Sequence, residues 1–371
     1  MRITVIGAGN IGTLVAGELS HHNNEVTLFT RDKSKWSNTI EVFNTDNNEK
    51  YVEKIYCITD NYKVAVENAE VIIIALPAFA IKNTINNIAP FVKEKTIIGF
   101  YPGTGGIEFN CKDLLSKNCI IFGTQRVCSV ARLNEYGKSV TTSGKRKEMY
   151  LSTIPSKYKN EISKMFGDLF QIKTMALPNY LNITLTPSNP ILHTTRLYTL
   201  FKDYKKGNVY DEIPLFYQDW TVESSKMLMN CDDELHQILA KINKFDTSGV
   251  KRLLDHYEST DEITLTNKIK SIKSFQGLET PQIKINGGFI PNLESRYFTA
   301  DFPYGLLIIK AFGLIVNQNT PNIDKVLYWY QDLTNKKYID ENGNLDIDSK
   351  NISLPQNNGI NTTEDIYKFY N

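Results

Sequence analysis

The 371 residues exceed one typical domain and suffice for two. With 41% hydrophobic residues they can fill real cores, and 42 basic against 41 acidic residues leave none of the basic excess that nucleic acid or an anionic membrane selects. That charge balance favours small-molecule partners, and five cysteines (Cys57, Cys111, Cys119, Cys128, Cys231) form no CxxC or Cys/His ligand spacing, which argues against a disulfide framework and a metal site and for a reducing cytoplasm.

In chain order, "MRITVIGAG" runs straight into β-branched residues without the charged leader of a secretory signal, so no export signal is expected. From Met1 to about Leu177, "RITVIGA", "EVTLFT", "EKIYCIT", "EVIIIAL", "KTIIGFY" and "CIIFGT" read as strands separated by helical segments. Several are nearly continuous hydrophobic runs, the pattern of strands covered by helices on both faces, which predicts a doubly wound parallel sheet. The apolar stretches "VIIIALPAFAI" and "GLLIIKAFGLIV" are too short to cross a bilayer, and the second carries Lys310.

Between the first strand and first helix lies "VIGAGNIGTLVAGEL", a GxGxxG pattern of Gly7, Gly9 and Gly12. Gly7 permits a tight turn, Gly9 lets a pyrophosphate approach the backbone, and Gly12 allows close packing, with Asn10 and Ile11 at the helix N-terminus between them. A second strand follows the helix, which is the context of a Rossmann-type dinucleotide-binding domain. At its end "LFTRD" presents Thr30 and Arg31 where an acidic residue would favour NAD; a hydroxyl and a guanidinium suit a 2′-phosphate, so NADP is expected, with NAD as the alternative because Asp32 adjoins them. "ALPAFA" sets Leu76 and Pro77 along the cofactor, and "YPGTGGIEF" follows the fifth strand at the same edge.

Past Leu177-Pro178 strand-like runs give way to helical spacing, as in "IPLFYQDWTVESSKMLMNCDDELHQILAKI" and "IDKVLYWYQDLT". The expected architecture is a Rossmann-type α/β domain over residues 1–178, then an all-α domain over 179–371, joined through the proline-marked stretch "LPNYLNITLTPSNP". At the head of the second domain stands "SNPILHTTR". Asn189 and Pro190 suit a helix start, Asn as cap and Pro in the first turn, and His193 falls one turn in among apolar residues.

Four stretches together, "GAGNIG", "LPAFAIKNTINNIAPFV" with "IGFYPGTGGIEF", "NPILHTTRLY" and "SRYFTADFPYGL", resemble the octopine/nopaline (opine) dehydrogenase family, in family order over residues 1 to about 310. The resemblance implies reductive condensation: an amino acid's amine adds to the carbonyl of a 2-oxo acid such as pyruvate, water leaves, and nicotinamide hydride reduces the imine. It makes His193 the catalytic acid, Asp301 the aspartate that orients it, and Arg296 the holder of a substrate carboxylate. The residue types agree, since histidine donates protons near neutrality, a carboxylate on its other nitrogen fixes the tautomer, and a planar guanidinium matches a carboxylate. Gln125 and Arg126, just after the sixth strand, and Asn189 are assigned to substrate binding. Thr194 follows His193 where many relatives have proline.

Two other readings stay open. One is a ketopantoate-reductase-like enzyme reducing a single 2-oxo acid, for whose lysine and glutamate no placement is found. The other is a nucleotide-sensing binding protein, whose signature would be erosion of the histidine, aspartate and arginine. Dimerisation through the helical half stays open as well.

Overall fold

Runs of isoleucine and valine without polar alternation form the centre of the main sheet; Val71–Ile74 is buried at every residue. The computed structural model describes all 371 residues, divided into a first unit, Met1–Thr184 with Tyr370–Asn371, and a second, Leu185–Phe369. The strands of the first unit are β1 (Arg2–Ile6), β2 (Glu25–Phe29), β3 (Thr39–Asn44), β4 (Glu49–Lys54), β5 (Cys57–Thr59) and β6 (Val71–Ile74). They continue with β7 (Ile97–Phe100), β8 (Ile120–Thr124), β9 (Val130–Glu135), β10 (Ser139–Ser143), β11 (Glu148–Ile154) and β12 (Lys173–Ala176). Eight form one sheet in the order β12-β11-β8-β7-β6-β1-β2-β5, parallel except where β11 meets β8. The order reverses between β1 and β6, the switch point beyond which ligands bind in doubly wound sheets.

The expected "EKIYCIT" strand is two strands: Glu53 and Lys54 end β4, which lies outside the eight-stranded sheet, and Cys57–Thr59 form β5 at that sheet's edge. The other sheet, β4-β3-β10-β9, was not anticipated. Its strands are polar on one face, as β10 ("SVTTS") shows, and the opposite face lies against the helix Asn10–His21. That approach is close, since a Cβ on Gly17 would meet Val42 Cγ2 at 2.6 Å.

The boundary lies at Thr184 rather than 178, because residues 179–184 are tied to the first unit. The Tyr180 hydroxyl donates to Gly103 O at 3.2 Å, and Thr184 Oγ1 donates to the Glu108 carboxylate at 2.5 Å. The chain end returns to the same group, with Tyr370 Oη donating to Glu108 Oε1 at 2.6 Å. Glu108 is fully buried, and desolvation pushes its carboxyl up to about 7. A carboxyl raised above its unfolded value of 4.5 contributes stability that is whole below that value and is lost as pH climbs through 7. Glu108→Gln is therefore expected to remove about 2 kcal/mol of the stability lost between pH 5 and pH 9, on top of a pH-independent offset, read from urea midpoints.

The second unit is helical: Ser188–Phe201, Val222–Lys241, Glu262–Ser271, Leu307–Ile315 and Pro321–Thr334, with one addition, a hairpin of β13 (Gln282–Ile285) and β14 (Gly288–Pro291). The stretch Arg296–Ile315 has the length and hydropathy of a membrane span, but 72% of it is buried in this unit. Its Lys310 is buried on Asp324 at 2.7 Å and Thr320 at 3.0 Å. The long helix expected from Ile213 starts only at Val222, capped by Thr221, whose Oγ1 accepts from Ser224 N at 3.1 Å. Residues 213–220 are instead a loop. The loop bears on the chemistry.

Candidate active site

The carboxyl ends of the parallel strands bring the nucleotide motif residues to one edge of the first unit. Gly7 turns at φ +112°, where a Cβ would meet Ala75 O at 2.6 Å, and Leu76 packs against the same turn. A Cβ on Gly12 would meet Gly7 O at 1.6 Å, so the helix packs directly on the turn. Gly9 faces open space, with nothing within 4 Å of its Cβ position. That opening, at the N-terminus of the helix Asn10–His21, suits a pyrophosphate, which the free N–H groups of the first turn would bind. The Asn10 side chain accepts from Leu133 N at 3.0 Å, so Asn10 and Ile11 offer their backbone rather than side chains. Pro77 caps the helix Ala78–Ile88 just after β6.

Thr30 is buried at the end of β2, and Arg31 beyond it is exposed and takes part in no ion pair. Asp32 is committed elsewhere: its Oδ1 accepts from Ser34 N and Oγ at 3.1 and 2.6 Å, and Lys35 lies 3.3 Å from Oδ2. These bonds hold the Asp32 carboxyl below its usual range. Of the neighbouring pair, Arg31 is the one left for a ligand. Gln125 Nε2 donates to Asn182 O at 2.8 Å, so its amide also holds residues 179–184 in the first unit; Arg126 is half-buried beside it.

In the second unit the expected histidine and aspartate meet. His193 Nδ1 lies 2.8 Å from Asp301 Oδ2, across 108 residues of sequence. A carboxylate accepts, so Nδ1 carries the proton and Nε2 is the nitrogen that changes state. The proposed cap is not observed: the helix begins at Ser188, with Pro187 already in helical conformation and no side-chain cap bond. Asn189 is therefore an exposed first-turn residue, and Pro190 sits where a helix N–H has no partner in any case. Thr194 returns its hydroxyl to Pro190 O at 2.6 Å within the helix. Pro190 also explains a second motif, since a Cβ on Gly305 would meet it at 3.0 Å, so "FPYGL" packs on the histidine helix and carries Asp301 with it. Arg296 starts a short helix, is exposed, and has no carboxylate partner within the chain. The next residue, Tyr297, lies with its ring 4.4 Å from the His193 ring.

Two residues of this site escaped sequence reasoning. Arg196, one turn beyond His193 and 1% exposed, donates to Phe216 O at 2.8 Å, Leu215 O at 3.2 Å, Asp219 O at 2.8 Å and Ser224 Oγ at 3.2 Å. Burial lowers its guanidinium to about 10, still charged at neutrality. Those carbonyls unwind residues 215–219 from the helix that their apolar spacing suggested, because a buried cation without partners costs several kcal/mol. The loop so held carries Tyr217, whose hydroxyl lies 2.8 Å from His193 Nε2. The usable signal was the "HTTR" spacing, which puts the arginine on the histidine's side of the helix.

Against known families, residues 176–334 match the model described as NAD/NADP octopine/nopaline dehydrogenase, alpha-helical domain, and residues 3–156 match that of ketopantoate reductase PanE/ApbA. The chain is 27% identical to octopine dehydrogenase of Mizuhopecten yessoensis, over 98% of this chain and 97% of that protein. The helical half of the chain thus matches the octopine/nopaline dehydrogenase family, and the full length is similar to an enzyme of that name. It is also 29% identical to opine dehydrogenase of Haliotis discus hannai, over 98% and 97% of the two chains. Its fold superposes on a structure of octopine dehydrogenase with NADH and L-arginine at a TM-score of 0.88, with 24% identity over 99% of this chain and 97% of that one. The family-model match to ketopantoate reductase is confined to residues 3–156, so at that level the helical half separates the two enzyme readings, and it matches the opine family.

Proposed function

We propose that this chain is an NAD(P)H-dependent opine dehydrogenase that condenses an amino acid with a 2-oxo acid to an N-(carboxyalkyl) amino acid, and runs the reverse. The observation that carries the reading is the His193–Asp301 pair at 2.8 Å, within a helical half of this family. Octopine dehydrogenase, the structural relative, has been solved with NADH and L-arginine and with NADH and pyruvate, which supports an amino acid and a 2-oxo acid as the substrate classes.

The reduced nicotinamide supplies the hydride. His193 as imidazolium supplies the proton that lets oxygen leave the carbinolamine as water, and Asp301 holds the ring's tautomer and stabilises its charged form. Arg296, with no internal carboxylate, holds a substrate carboxylate through its planar fork. Gln125, Arg126 and Asn189 are assigned to the remaining substrate contacts. The five free thiols suit a reducing, cytoplasmic compartment.

Oxidation of the reduced cofactor should require a 2-oxo acid and an amino acid together, with ammonium failing to replace the amino acid, because the amino acid's carboxylate supplies binding energy that positions the amine. Rapid oxidation with the oxo acid alone would favour the single-substrate reductase, and cofactor binding with no turnover across a broad grid would favour the sensor.

For the cofactor we favour NADP, on the strength of an unpaired Arg31 beside an engaged Asp32. Arg31→Ala is expected to weaken NADPH by about 2 kcal/mol, the scale of a charge-assisted hydrogen bond, and to leave NADH nearly unchanged. Titrating both cofactors by fluorescence decides it; equal losses would contradict the assignment.

A further inference from the structure

Both nitrogens of the His193 ring are engaged within the chain, Nδ1 by Asp301 and Nε2 by Tyr217 Oη, each at 2.8 Å. An imidazole in this position has no free edge to offer a substrate oxygen. Nor is Tyr217 easily moved. Its ring is stacked on Phe275 at 4.0 Å and on Trp220 at 6.3 Å, it is 4% exposed, and the carbonyls of Leu215, Phe216 and Asp219 around it are held by the buried Arg196. We propose that Tyr217 is a catalytic residue, the group that hands the proton to the departing oxygen while His193 replaces it. The proposal rests on the reading of His193 as the acid.

The Tyr217 O–H bond breaks as a new O–H bond forms on the carbinolamine hydroxyl, whose C–O bonding pair leaves with water. The amine nitrogen's lone pair forms the C=N bond, and the proton on His193 Nε2 passes to the Tyr217 oxygen. The net donor is the imidazolium, and the phenol ends as it began. Burial, with Tyr297, Tyr257 and Asp301 close by, raises the Tyr217 hydroxyl well above the ordinary tyrosine value. A free phenolate is therefore not a resting stage, and the two protons move together.

The test compares single-turnover condensation rates in mixtures of light and heavy water. The wild-type rate should bend with deuterium fraction, as two moving protons require. Tyr217→Phe should slow it at least tenfold, unchanged in cofactor affinity, and make the dependence linear. A straight line for the wild type, or a Tyr217→Phe enzyme at wild-type speed, would overturn the relay. If Tyr217→Phe does not fold, 3-fluorotyrosine at 217, nearly isosteric with a more acidic phenol, should change the single-turnover rate while the dependence on deuterium fraction stays bent; an unchanged rate would overturn it. His193→Ala separates the two readings: full speed there contradicts His193 as the acid, whereas a slow His193→Ala beside a normal Tyr217→Phe contradicts the relay alone.

Discussion

His193→Ala is expected to lower turnover about a hundredfold or more, the usual scale for a positioned acid, while cofactor affinity stays close to wild type. The ring is 8% exposed and sits against Phe216 and Tyr297, so truncation also opens a small cavity. The near-isosteric His193→Gln controls for that loss of packing, and should be as slow as the alanine variant. Asp301→Asn should slow turnover by about as much, since the amide can donate to Nδ1 and so favour the wrong tautomer. Steady-state rates with a thermal melt on each variant check this. Normal turnover in His193→Ala, or a loss of activity that tracks unfolding, would return the histidine to a structural role.

Arg296→Ala should cost about 2 kcal/mol or more in kcat/KM for at least one carboxylate substrate, roughly thirtyfold, with little effect on stability. The arginine is exposed and free of internal ion pairs, so removing it strands no buried carboxylate. Arg296→Lys should recover only part of the loss, because a point charge does not reproduce a two-pronged contact. Equal kcat/KM for all substrates in the alanine variant would remove Arg296 from the site.

How much of this was legible in sequence depends on the range of the interactions involved. The glycine turn was legible because its physics is local: Gly7 needs a positive φ, and Gly12 needs the absence of a Cβ because Gly7 O, five residues away, lies against it. His193 and Asp301 were found through family motifs, and the structure supplies the packing reason, Gly305 seated on Pro190. The second sheet and the loop at 213–220 were not legible, for a common reason. In β10 the buried face comes from a helix distant in sequence, and in the loop the apolar spacing of "IPLFYQDW" was overridden by one guanidinium from another helix. The Asn189 cap failed at shorter range, because Pro187 adopts helical geometry first.

In the proposed reaction one nitrogen and one hydride end on the same carbon. Reduced cofactor deuterated at the transferred position, a 15N-labelled amino acid and an unlabelled 2-oxo acid should give, by mass spectrometry, a single secondary amine carrying both labels, with the deuterium on the former carbonyl carbon. A deuterated hydroxy acid, with the 15N left in the unreacted amino acid, would contradict the account.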